Sequence, residues 1–281
     1  MPLHWVDCEH PGGRHRVACH VLGQAGRPAV LCVHGLSRNA HDFDALAQRL
    51  APRFRVVSVD MPGRGDSEWL QDPTHYRETT YLGDLRRVMD ALELEPVRWV
   101  GTSMGGLLGM KMAAADPARV AALVLNDIGA ELDGPELARL RQQSSEPVTF
   151  ASRDEAETWF RSRYAAFGIQ DAERWRQFTD TGIEPAPDGG LRPRFDARAA
   201  SLLPVPPRVD LWATYEAIRC PVYLLRGADS VLLGRATCEA MARRGPRAQW
   251  MEVPDAGHAP DLQGVLVEAV ASFIEDKEVH A

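Results

Sequence analysis

The stretch 97–116, VRWVGTSMGGLLGMKMAAAD, constrains what this chain can fold into more than any other. Its first four residues, Val97-Arg98-Trp99-Val100, have the apolar, β-branched and aromatic character of a strand. Residues 107–115 are Leu, Met, Ala, Gly and Lys, mostly strong helix formers. Only Gly101-Thr102-Ser103-Met104-Gly105-Gly106 separates the two. A strand that becomes a helix in so few residues must turn sharply, which forces the apex residue into strained backbone and brings its neighbours too close for side chains. Gly101 and Gly105 stand two before and two after Ser103, so the turn reads G-x-S-x-G. Such a turn lifts the Ser103 hydroxyl to the end of the strand, where the following helix points its free N–H groups and positive dipole end. That setting suits a nucleophile whose reaction develops an oxyanion. The plainer alternative, a glycine-rich turn around a bystander serine, stands or falls on whether the rest of the chain supplies partners.

The rest of the chain repeats the strand–helix theme. Residues 3–7 and 15–22 read as strands flanking a turn at His10-Pro11-Gly12-Gly13. Strands follow at 29–33, 54–59, 97–100 and 120–126, with helices at 42–50, 79–92 and 107–115 between them. From 131 to 212 the alternation stops. Helices are expected at 137–143, 155–167 and 171–178, then a loop-like segment, 182–207, with six prolines at 185, 187, 193, 204, 206 and 207, and no strand pattern. Strands at 222–225 and 249–253 and helices at 235–243 and 262–274 resume the theme. Alternating strands and helices imply an α/β fold with a mostly parallel sheet covered on both faces. The interruption implies an inserted helical lid, 131–212, on a core made of 1–130 and 213–281. Trp159, Trp175 and Trp212 are candidates either to line a pocket under that lid or to form its own small core, and the second is expected of at least two.

Composition narrows the function classes. The net charge is −7, which argues against nucleic acid and anionic membrane surfaces as partners. The adjacent arginines Arg86–Arg87 and Arg243–Arg244 read as solvated faces. Five cysteines, Cys8, Cys19, Cys32, Cys220 and Cys238, show no C-x-x-C or Cys/His zinc spacing, so no metal is expected. Cys32 and Cys220 lie in apolar runs and are expected to be buried. No secretory signal is read at the N-terminus, and no run reaches the ~18 apolar residues of a membrane span, so the cytoplasm is the expected compartment. Of nine histidines, His4, His10, His15 and His280 are expected to be exposed.

Four segments in order, His34-Gly35-Leu36 after a strand, Asp60-Met61-Pro62-Gly63-Arg64-Gly65-Asp66-Ser67, Gly101-Thr102-Ser103-Met104-Gly105-Gly106, and Ala256-Gly257-His258-Ala259-Pro260, make the chain resemble the α/β-hydrolase fold superfamily over nearly its whole length. It is similar to small bacterial serine esterases with a helical cap. The resemblance implies that Ser103 is the nucleophile, His258 its base, and the backbone N–H groups of Leu36 and Met104 the oxyanion hole. His34 becomes a structural part of the oxyanion loop, and Arg64-Gly65-Asp66 a family loop rather than an adhesion tripeptide.

The acid that orients His258 departs from the family pattern. The expected place is three residues after a glycine in Leu224-Leu225-Arg226-Gly227-Ala228-Asp229-Ser230-Val231, and it holds Ser230. Asp229 stands one place early, and relatives often carry Asp where this chain has Val231. Some family members place the acid at the end of the preceding sheet strand, where this chain has Asp127. Asp127 is favoured and Asp229 is the alternative. The implied activity is hydrolysis of small to medium carboxylic esters through an acyl-enzyme, with no cofactor and no metal. Lactones or thioesters are alternatives for the same triad, and a catalytically idle binding protein on the same fold is the rival of a different class. The serine at the turn argues against dehalogenases and epoxide hydrolases, which put Asp there. Ala259-Pro260 after the base argues against carbon–carbon bond hydrolases.

Overall fold

The computed structural model describes residues 1–202 and 206–276; Pro204 and His280 lie outside them. Eight strands form one sheet in the order β1-β2-β4-β3-β5-β6-β11-β12. They are β1 (Leu3–His10), β2 (Gly13–Leu22), β3 (Ala29–Val33), β4 (Arg55–Val59), β5 (Val97–Thr102), β6 (Val120–Asn126), β11 (Val222–Gly227) and β12 (Gln249–Val253). β1 and β2 join through a hairpin, β2 runs antiparallel to β4, and the remaining pairs are parallel. The central strands are nearly continuous apolar runs because helices cover both faces: every residue of β3 and β5 is buried. Helices α1 (Asp44–Leu50), α2 (Glu78–Ala91), α3 (Met104–Ala115), α8 (Trp212–Ala217), α9 (Arg235–Met241) and α10 (Val265–Glu275) supply that cover. One apolar core around Trp99, Leu123 and Met110 fills one face, and another around Phe43, Leu50 and Ile274 fills the other.

Between β6 and β11 the chain leaves the sheet. It forms α4 (Gly134–Ser145), α5 (Arg153–Arg163), α6 (Ala172–Asp180) and the short α7 (Arg198–Ser201). Contrary to expectation, this segment also holds four three-residue strands. β7 (Glu131–Asp133) pairs with β10 (Arg208–Asp210), and β8 (Ile183–Pro185) pairs with β9 (Leu191–Pro193). Such short strands have no room for a visible period. β8 and β9 each end in a proline, tolerated because a two-stranded ribbon has only edges. The segment has its own aromatic core of Phe150, Phe160, Tyr164, Trp175 and Phe178, with Trp159 packed against it. Trp212 packs instead against the main core, and none of the three tryptophans lines the large cavity described below.

The segment is fastened down at several points. Arg174 pairs with Asp261 at 2.7 Å, the Tyr164 hydroxyl donates to Ser37 O at 3.0 Å, and the Tyr76 hydroxyl donates to the buried Asp196 at 2.8 Å. Other sequence expectations need correction. His15 is buried, bonded through Nε2 to Asp84 at 3.0 Å, and His10 is half-buried. His4 is exposed as expected. Cys220 is only partly buried, whereas Cys32 is fully buried, and all five thiols are free. No helix among the described residues is long and apolar enough to cross a membrane.

Candidate active site

The chain passes from β3 to β4 on one side and later to β5 on the other, so β3 and β5 flank a reversal of strand order. Crevices at the carboxyl ends of strands at such a point are where α/β sheets bind ligands. β3 ends in the His34 loop and β5 ends at Ser103.

Ser103 sits at φ 50°, ψ −112°, the strained apex that the sequence requires. The flanking glycines are there because of close approach. A Cβ on Gly105 would lie 1.9 Å from Val33 O, and one on Gly101 would lie 2.4 Å from the Gly105 backbone. The indole N–H of buried Trp99 donates to Gly105 O at 2.9 Å and pins the turn to its own strand.

His258 arrives from β12, at the edge of the sheet. Its loop runs back across the strand ends, held where Asn126 Nδ2 donates to Pro260 O at 2.9 Å and where Asp229 N donates to Ala256 O at 2.9 Å. Gly227 permits this crossing: a Cβ there would lie 2.1 Å from Gly257 O. The His258 ring stands with Nε2 2.9 Å from Ser103 Oγ and Nδ1 2.8 Å from Asp127 Oδ2. The carboxylate accepts, so the ring proton is on Nδ1 and Nε2 offers its lone pair to the serine hydroxyl, which donates.

Asp127 is wholly buried at the end of β6, at φ 52°. Its Oδ1 accepts from Gly227 N at 3.0 Å, and its Oδ2 accepts from Ser230 Oγ at 2.6 Å as well as from the histidine. β6 and β11 pair with Asn126 opposite Leu225, which puts the end of one strand beside the start of the other's loop. Ser230, the residue that occupies the usual acid position, therefore serves as a hydrogen-bond donor to an acid brought from the neighbouring strand. Asp229 is exposed and its carboxylate makes no hydrogen bond or ion pair among the described residues; Val231 is 65 % exposed. The structure thus brings Ser103, His258 and Asp127 together and leaves Asp229 outside.

The loop after β3 presents the second set of donors. His34 is fully buried; Met61 N donates to its Nε2 at 3.0 Å, so its Nδ1 carries the proton and donates to Gly35 O at 2.6 Å. Burial pushes the ring's ionisation down to about 4, partly offset by Asp60, so it is neutral near pH 7. Arg64, also fully buried, donates through Nε to Leu36 O at 2.9 Å and through Nη1 to both Pro62 O and the Tyr81 hydroxyl. A buried Arg64 cannot serve as an adhesion motif. With the Gly35 carbonyl held by His34, the opposite end of the same planar peptide, the Leu36 N–H, faces away from it. Leu36 and Met104 both line the cavity that holds Ser103 and His258. Neither N–H has a backbone acceptor within the described protein.

That cavity has a volume of about 360 Å³, between the strand ends and the segment that leaves the sheet. Leu107, Ile128, Leu132, Leu137 and Leu140 give it an apolar wall. Sequence reasoning missed Ser230 as a partner of the acid, Arg64 as a brace of the loop, and the charged side chains that α4 and α5 turn toward the cavity. Ser230 was visible only as a missing acid, and the helix charges carried no signal separating them from an ordinary solvated face.

A model of the alpha/beta hydrolase fold matches residues 28–264. A 3-hydroxybutyrate-oligomer hydrolase of Cupriavidus necator is 38 % identical over 286 aligned residues, covering 96 % of each chain. A 2-(acetamidomethylene)succinate hydrolase of Mesorhizobium japonicum is 27 % identical over 92 % of each. Among solved structures, an alpha/beta hydrolase from Novosphingobium aromaticivorans superposes with a TM-score of 0.86 at 33 % identity, covering 97 % of this chain and 98 % of its own.

Proposed function

The chain belongs to the alpha/beta hydrolase family, and from that premise we propose that it is a serine hydrolase cleaving small to medium carboxylic esters through an acyl-enzyme. The observation that carries this reading is the unbroken chain Ser103–His258–Asp127, with contacts of 2.9 and 2.8 Å, opening onto an apolar cavity. Ser103 Oγ attacks the ester carbonyl as His258 Nε2 takes its proton. The carbonyl oxygen becomes an oxyanion, received by the N–H groups of Leu36 and Met104, with the α3 N-terminus behind them. Buried Asp127 keeps the proton on Nδ1 and balances the imidazolium. His258 gives its proton to the departing alcohol, then activates water to release the acid. The complete triad weighs against an idle receptor. The segment 131–212 acts as the lid over the acyl pocket. The five free thiols suit a reducing compartment such as the cytoplasm.

The relative's name directs the choice of first substrates. Oligomers of 3-hydroxybutyrate are chains of esters, and a linear hydroxy-acid dimer suits a cavity of about 360 Å³ better than a fat does. The test is labelling by a fluorophosphonate and hydrolysis of 4-nitrophenyl acetate, butyrate and octanoate and of the 3-hydroxybutyrate dimer, in wild type and in Ser103→Ala. Labelling and turnover that both vanish in Ser103→Ala are expected. Retention of most of the activity by that variant removes Ser103 as nucleophile.

A further inference from the structure

The cavity wall is not uniformly apolar. Among the described residues that line it are five cationic side chains, Arg38, Lys111, Arg139, Arg141 and Arg163, and three carboxylates, Glu78, Glu136 and Asp229. Arg38 pairs with Asp42 in a fork, Lys111 with Glu78 and Arg139 with Glu136, and Arg141 has an interaction of its own as well. Arg163 differs. Its guanidinium donates to Gln143 Oε1, to Ser144 Oγ at 2.8 Å and, at 3.5 Å, to Leu140 O, all neutral acceptors at the end of α4. Its Nε is buried and has no hydrogen-bond partner among the described residues. Burial is what most disfavours its charge, and Arg139 repels it; Tyr164 and the exposed Glu146 favour the charge from a distance, but no ion pair joins Arg163 to a carboxylate among the described residues.

We propose that this pocket accepts esters that carry a free carboxylate, and that Arg163 is the residue that receives it. A cation drawn out of water against neutral acceptors is electrostatically incomplete, and a substrate anion completes it. The guanidinium fork suits a carboxylate, and Gln143, through its amide N–H, adds a second donor beside it. Leu137 and Leu140 on the same helix and Leu107 on α3 line the apolar part of the wall, so the matching molecule is a short aliphatic ester with one anionic end. The proposal rests on Ser103 marking the reacting end of the cavity. It does not depend on which half of the ester bears the charge.

Two substrate pairs tell the halves apart. 3-Butyryloxybutanoate against its methyl ester puts the charge on the alcohol side. 4-Nitrophenyl hydrogen glutarate against methyl 4-nitrophenyl glutarate puts it on the acyl side. At low ionic strength, wild type is expected to prefer the anion in at least one pair by about tenfold in kcat/KM, the order of one charge-assisted hydrogen bond. Arg163→Gln should bring that ratio to within about twofold of unity, and Arg163→Lys should restore part of it. The ratio is read within each protein, so a general loss of activity cancels. No preference in either pair, or an unchanged ratio in Arg163→Gln, overturns the proposal. Should Arg163→Gln fail to fold, wild type still decides: glutarate must inhibit hydrolysis of 4-nitrophenyl butyrate, and dimethyl glutarate must do so at least tenfold more weakly. Calorimetry separates this site from the reaction. Ser103→Ala should bind glutarate more tightly than glutaramide, two ligands with no ester to cleave, whether or not Ser103 proves to be the nucleophile.

Discussion

Asp127→Asn tests the site at its most constrained atom. The side chain has no freedom to choose its orientation. Gly227 N–H, fixed by the sheet, donates to Oδ1, so the amide oxygen of an asparagine must face it. The NH₂ group then occupies the Oδ2 position, 2.6 Å from Ser230 Oγ and 2.8 Å from His258 Nδ1. Ser230 adapts by rotating its hydroxyl to accept. His258 adapts only by moving its proton to Nε2, leaving Nδ1 to accept from the amide. The histidine then presents an N–H to Ser103, where it needs a lone pair, and the counter-charge for the imidazolium is gone. In serine proteases the same exchange costs about 10⁴ in kcat, or about 5.5 kcal/mol of barrier. A loss of that order in kcat on 4-nitrophenyl butyrate is expected, with KM changed much less. Asp229→Asn, which alters an exposed carboxylate without a partner, should change kcat by less than about threefold, because no hydrogen bond is lost. Near-UV circular dichroism establishes that Asp127→Asn is folded. If folded Asp127→Asn keeps more than a tenth of the wild-type kcat, or if Asp229→Asn is the more damaging change, the tautomer argument is wrong.

Three further outcomes follow from the same geometry. Gly105→Ala gains up to about 1 kcal/mol of helix propensity but places a Cβ 1.9 Å from Val33 O, a clash with backbone that costs about 1–3 kcal/mol or more; a net fall in the urea midpoint is expected, and a rise would refute the close approach. His34, held neutral by burial with an ionisation near 4 against 6.5 unfolded, makes the unfolded chain bind more protons between those pH values. Stability should therefore fall by on the order of 3 kcal/mol as pH drops from about 6.5 to about 4, and His34→Asn should flatten that part of a denaturation-against-pH curve. The cavity of about 360 Å³ should make butyrate esters outrun emulsified long-chain triglycerides by orders of magnitude, and comparable rates on the two would show that the segment over the site does not limit substrate size.

The parts of this molecule legible in its sequence are those where backbone sterics leave one choice. Gly101 and Gly105 stand where any Cβ would collide with backbone, and that necessity marks Ser103. His258 stood out through the family resemblance of its Gly-flanked loop after the strand 249–253, not through any local necessity. Asp127 was only one of two options, because its partners Gly227, Ser230 and His258 lie 100 or more residues away and meet it through the pairing of β6 with β11. Register between parallel strands leaves no local trace. Burial of His15 was hidden for the same reason: its carboxylate partner, Asp84, comes from another element. The short ladders β7–β10 and β8–β9 escaped because three residues carry no period, and prolines within 182–207 read as loop.

The backbone at Ser103 also bears on how such a site persists. Five non-glycine residues among those described hold positive φ, and two of them are Ser103 and Asp127. Positions of this kind carry about 1–3 kcal/mol of conformational cost, which glycine would relieve at the expense of about 1 kcal/mol in unfolded-chain entropy. A lineage selected for durability alone would profit from trading the serine away, since most proteins lie close to their stability threshold. Stability alone thus gives no reason for a hydroxyl at the tip of this turn, where glycine would sit with less strain.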